Sequence, residues 1–184
     1  MEALQQAIAD ARARYISTNP RSLKADREAE TYLPGGNTRT VLHYDPWPLT
    51  MVSGEGAELV DIDGHRYVDF VGEYSAGLFG HSEQAVKSAV RKSMETGIAL
   101  GAPTEYERHL AGLLCRRFPG IDQVRFCNSG TEANIWAMTT ARMLTGRQKF
   151  LAFEGAYHGG VIKFPNGPCP LNIPFDFVLA EYND

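Results

Sequence analysis

Three cysteines in 184 residues, Cys115, Cys127 and Cys169, are an odd and scattered set. They form no disulfide framework, and no C-x-x-C or Cys/His spacing suggests a metal site. Long apolar runs are missing too; none approaches the roughly 18 residues needed to span a bilayer. Basic residues are not in excess. Lys plus Arg number 18 against 22 Asp plus Glu, a net charge of −4, which offers no broad surface for nucleic acid. The opening Met-Glu-Ala-Leu-Gln-Gln-Ala-Ile is acidic and amphipathic, unlike the basic-then-apolar start of a signal peptide. No internal repeat or low-complexity tract occurs. What is present is ordinary for a globular, cytoplasmic protein: 43% hydrophobic and 22% charged residues, with length enough for a sizeable core.

Leu4, Ile8, Ala11 and Tyr15 recur at helical spacing, so a helix is expected over 2–17, closed by Asn19-Pro20. A second short helix is expected over 23–32, before Pro34-Gly35-Gly36. Residues 49–70 alternate apolar and polar around two turn signals, Ser53 to Gly56 and Asp61 to Gly64, and read as an antiparallel meander. Asp63-Gly64 is taken as a hairpin turn, since calcium would need more acidic ligands in regular spacing. Helices are expected over 83–96 with Ser82 as N-cap, and over 104–118 with Thr104 as cap and Glu107 at N3. Then come strand 123–127, helix 131–144 ended by Gly146, strand 148–153, a loop, and strand 176–180. Strands alternating with helices imply an α/β fold with a mostly parallel sheet. Two regions are expected: 1–75, helices plus meander, and 76–184, the start of a larger α/β domain.

Asn128-Ser129-Gly130-Thr131-Glu132-Ala133 follows an apolar run and opens a helix. Backbone amides at a helix start, flanked by two hydroxyls, suit a phosphate. Ser129 with Glu132 is equally a plain capping box. About one βα unit later, Glu154-Gly155-Ala156-Tyr157-His158-Gly159-Gly160 places an aromatic and an imidazole on a Gly-rich loop.

The motifs 128–134 and 155–159 resemble class III aminotransferases, the pyridoxal phosphate enzymes of fold type I. Pro34 to Arg39, Asp61 to Gly64 and Leu78 to Ser82 match in the same order, so the resemblance runs from about residue 30 to the end. Within the class the likeness is to glutamate-1-semialdehyde aminomutases and to aminotransferases of β-amino acids. Pro174 to Phe177, Glu73-Tyr74 and the Arg39 segment favour the second branch.

That resemblance implies cofactor-binding roles for Ser129, Gly130, Thr131, Tyr157 and His158. Hydroxyls and amides of the first three would hold the phosphate, Tyr157 would stack on the ring, and His158 would lie beside it. It also implies that Arg39 receives the substrate carboxylate, with Val41 and Tyr74 shaping the substrate pocket. A guanidinium can fork onto a carboxylate as a lysine cannot. None of Lys24, Lys87, Lys92, Lys149 and Lys163 matches the family's Schiff-base lysine, and no catalytic lysine is assigned. His43, His65 and His109 are read as structural, and His81-Ser82 as a helix-start turn.

The expected reaction moves an amino group from a β-amino acid, or a similar amine with a distal carboxylate, to a 2-oxo acid, in a homodimer. The alternatives are an aminomutase on the same fold and a non-catalytic scaffold of that fold. The chain stops directly after the strand-like 177–180, where an α/β sheet should continue with a helix. It therefore reads as the N-terminal portion of a longer enzyme, inactive when alone.

Overall fold

The computed structural model describes residues 2–183, Thr40 by its backbone alone. The chain divides into two compact units, Met1–Leu100 and Gly101–Asp184.

In the first unit, α1 (Glu2–Thr18) leads into α2 (Pro20–Glu30). Pro20 starts α2 rather than merely ending α1, because its missing N–H costs nothing at the first helical position. Asn19 sits at the N-cap position but makes no cap; its amide instead donates to the Tyr15 carbonyl at 2.8 Å. The cap comes from a distance. Asp63 accepts from the amides of Arg21 (2.8 Å) and Ser22 (2.9 Å) and from the Ser22 hydroxyl (2.8 Å). Asp63-Gly64 is thus a turn, as expected, and a helix cap as well.

The meander forms as the alternation predicts. β1 (Met51–Glu55), β2 (Glu58–Asp61) and β3 (Arg66–Val68) pair antiparallel in that order, with an irregularity between Met51 and Ser53. Asp61, only 1% exposed, ties its end. Its carboxylate accepts from the His65 amide (2.8 Å), the His65 ring (2.9 Å) and the Tyr67 hydroxyl (2.8 Å). Burial pushes this carboxyl up, but the His65 and Tyr67 hydrogen bonds outweigh that and hold it below the usual range. Tyr67, desolvated and bonded to the same carboxylate, is pushed up to about 12.

α3 (Gln84–Glu95) follows. Its cap is Glu83, whose side chain accepts from the Val86 amide at 2.7 Å, and not Ser82. The Ser82 hydroxyl is occupied elsewhere, accepting from the Gly56 amide at 3.2 Å. The 80–82 turn lies backbone to backbone on the β1–β2 hairpin. A Cβ at Gly80 (φ 79°) would stand 2.6 Å from the Gly56 carbonyl oxygen, so only glycine permits the approach.

The second unit contains α4 (Glu105–Arg117), α5 (Gly130–Thr145), β4 (Lys149–Phe153) and β5 (Asp176–Ala180). Thr104 holds the N-cap position of α4, yet its hydroxyl makes no capping bond. The expected strand 123–127 does not form; the segment has no ladder partner among the described residues. Arg125 instead lays its guanidinium over the Trp136 ring, 4.3 Å from the centroid, docking the segment on α5. β4 and β5 pair in parallel, Lys149 opposite Asp176 through Phe153 opposite Ala180. Their crossover carries a folded loop in place of a helix. Two of its side chains, Ile162 and Phe164, are fully buried and join Ala152 in the core, against Ile135 and Met138 of α5. Each such burial stabilises the unit by about 1.5–3 kcal/mol. That plug anchors the loop on which the site depends.

Candidate functional site

The second unit brings the two sequence motifs into contact. Ser129 caps α5, accepting from the Glu132 amide at 3.1 Å, and Glu132 reaches back to the Asn128 amide at 2.9 Å. The capping box is therefore real, shifted by one residue on its return arm. The Gly160 amide donates to the Thr131 hydroxyl oxygen at 3.0 Å, and the Asn134 side chain donates to the His158 carbonyl at 2.8 Å. The His158 amide donates to the Ile162 carbonyl at 2.7 Å. Its peptide is thus held between helix and loop. The approach is so close that a Cβ at Gly159 (φ 131°) would lie 2.4 Å from the Thr131 hydroxyl oxygen and 2.8 Å from its Cα.

Capping does not exhaust the corner. Both hydroxyls serve as acceptors and retain their own O–H to donate. The first amides of a helix have no carbonyl one turn earlier, and among the described residues those of Gly130 and Thr131 meet no acceptor. Gly130 faces open space, with nothing within 4 Å of an added Cβ. Two amides, two O–H donors and the positive end of a 16-residue helix suit a dianionic phosphate. Tyr157 is 61% exposed, held by a bridge to Lys163 that leaves the ring uncovered. The donor set fits pyridoxal phosphate. Sequence reasoning had the motif 128–134 but no role for Asn134, and it missed the Thr131–Gly160 clasp; both are visible only once the loop folds back.

In the first unit, Arg39 does not stand alone. Its guanidinium donates to the Glu73 carboxylate, with the two side chains about half-exposed. Glu73 and Tyr74 lie in a left-handed turn: Gly72, Glu73, Tyr74 and Ser75 have φ of 53°, 50°, 53° and 82°. Three consecutive non-glycine residues in that region cost about 1–2 kcal/mol each, so the surroundings must hold them. Asp69 braces the entry to the turn, accepting from the amides of Val71 (2.8 Å) and Gly72 (2.9 Å) and from His81 Nε2 (2.9 Å). The Gly72 and Val71 amides, with His81 adding to them, hold this carboxyl below the usual range against its desolvation. His81 thus has a partner and a structural task. Glu73, His81, Leu42 and Phe70 also line an 860 Å³ hollow, mostly apolar. Val41 and Tyr74 are exposed and do not line it. No group of three metal-ligating side chains occurs among the described residues.

Comparison with known proteins identifies the family. The class III aminotransferase family model matches residues 41–164. A β-phenylalanine transaminase of Variovorax paradoxus is 50% identical over 99% of this chain and 42% of its own length. The crystal structure of the β-phenylalanine aminotransferase from that organism superposes with a TM-score of 0.93 over 98% of this chain and 42% of its own. A glutamate-1-semialdehyde 2,1-aminomutase of Heliobacterium modesticaldum is 38% identical over 89% of this chain and 42% of its length. A solved transaminase with PLP bound, 29% identical, has a TM-score of 0.80 over 90% of this chain and 42% of its own. The chain spans about two fifths of the length of these relatives. Its fold is that of the fold type I transferases. This chain belongs to the class III aminotransferases.

Proposed function

We propose that the full-length protein is a transaminase that takes an amino group from a β-amino acid and delivers it to a 2-oxo acid, working as a homodimer. The observation that carries the reading is the clasp between the 128–134 and 155–160 motifs. It leaves two amides and two O–H groups open to a phosphate. The 50% identity to a β-phenylalanine transaminase supports the choice of donor.

Bound pyridoxal phosphate supplies an electron sink that acidifies the amine-bearing carbon of a substrate. This chain's own groups bind and orient. Ser129, Gly130 and Thr131 hold the phosphate, Tyr157 covers the ring face, and His158 borders it. Arg39 receives the substrate carboxylate through its planar fork, and Val41 and Tyr74 bound the substrate.

The test is to offer the full-length, cofactor-loaded protein β-phenylalanine with 2-oxoglutarate, and separately glutamate-1-semialdehyde. Glutamate formation in the first case is expected. Isomerisation of the semialdehyde without net transfer would assign the protein to the aminomutases instead. Failure to retain pyridoxal phosphate by absorbance after gel filtration would leave the scaffold reading.

A further inference from the structure

We propose that Glu73 is a resident carboxylate that a substrate carboxylate must displace from Arg39, and so sets how strongly acids bind. The inference rests on Arg39 as the receiver of the substrate carboxylate. It adds a second, specificity-determining residue to that site.

Three observations carry it. The pair joins residues 34 apart in sequence, and Glu73 presents to Arg39 the same functional group that a β-amino acid would present. Both side chains are about half-exposed. An exposed pair of this kind is weak and exchangeable, whereas a buried one would be held permanently. Finally, Glu73 is placed by a left-handed turn of non-glycine residues, braced by Asp69 and His81. Conformations of that kind persist where the surroundings over-determine them, and they cluster at ligand sites.

The chemistry gives the pair a purpose. A transaminase admits and discharges acids in both halves of its cycle. A lone guanidinium would retain them; one with an internal competitor releases each acid as Glu73 returns. Neutral amines, which need no guanidinium, are indifferent to Glu73.

The experiment uses full-length, cofactor-loaded protein and two probes: 3-phenylpropanoate, a β-amino acid skeleton without its amine, and the neutral 3-phenylpropanamide. Glu73→Gln is expected to bind the acid about three- to fivefold more tightly, in keeping with loss of an exposed ion pair. The KM for β-phenylalanine should fall by a similar factor and kcat should fall with it, because acid release slows without the competitor, while binding of the neutral amide stays the same. Should Glu73→Gln fold poorly, Glu73→Asn serves, because asparagine tolerates left-handed backbone. Unchanged or weaker acid binding in a folded Glu73 variant, while Arg39→Gln still weakens it, overturns the role of Glu73 alone. Normal acid binding by Arg39→Gln overturns the underlying reading of Arg39.

Discussion

Gly130 and Gly159 face the same corner under opposite constraints. Gly130 has open space around it, and Gly159 has none. Gly130→Ala should leave the melting temperature of the full-length apoprotein unchanged or slightly raised, since alanine is the better helix former. It should weaken pyridoxal phosphate binding, because the methyl intrudes where the phosphate approaches. Gly159→Ala drives a Cβ onto the Thr131 backbone and should cost about 1–3 kcal/mol of stability as well as the cofactor. Melting curves of apoprotein and titration with pyridoxal phosphate separate the two. If both variants behave alike, the corner is not arranged as described. At this scale the sequence was informative about residue types and poor about partners. The capping box of Ser129 and Glu132 was legible from residue types and spacing, and it forms. The Glu73 partner of Arg39 was not, because an ion pair across 34 residues leaves no local pattern.

Among the elements, the meander and its helix are stitched by two aspartates with different tasks. Asp61 holds β2 to β3, and Asp63 starts α2. Asp61 has its native carboxyl held below the unfolded value, so its contribution is present above the unfolded pKa of about 3.9 and is lost as pH falls through the native one. Stability of the full-length protein should therefore drop below about pH 4. Asp61→Asn should destabilise by about 1–3 kcal/mol at neutral pH by stranding buried donors, and should flatten that acid limb in urea titrations. An acid limb unchanged in the variant would place the sensitive group elsewhere. Asp63→Ala should speed amide exchange at Arg21 and Ser22 while sparing α3. Helix and strand periods were readable across most of the chain, since the pattern reflects local burial. Caps were readable only in part: Ser129 caps α5 as its pattern suggests, but Glu83 replaces Ser82 on α3 and Thr104 makes no capping bond.

At the scale of the whole molecule, the second unit leaves large apolar side chains in the open. Leu151 on β4 is 68% exposed, and Met143 and Leu144 on α5 are each 75% exposed. Produced alone, the 184-residue chain should bind a hydrophobic dye strongly, unfold without a sharp transition and fail to transaminate. The full-length protein should do none of these. A steep, two-state melt of the short chain would contradict this. The α/β class was legible from alternating strands and helices. The missing strand at 123–127 was not foreseeable, because pairing depends on a neighbour that local alternation does not encode.

The remote cap on α2 also sets a schedule. Ser22 leaves the ribosome 41 residues ahead of Asp63, about two to eight seconds at ordinary synthesis rates. Throughout that interval the newborn helix lacks the acceptor for its leading amides. Its start is completed only when the later hairpin emerges, so nascent-chain protection of residues 20–30 should rise late, in step with the strands rather than with the helix's own sequence.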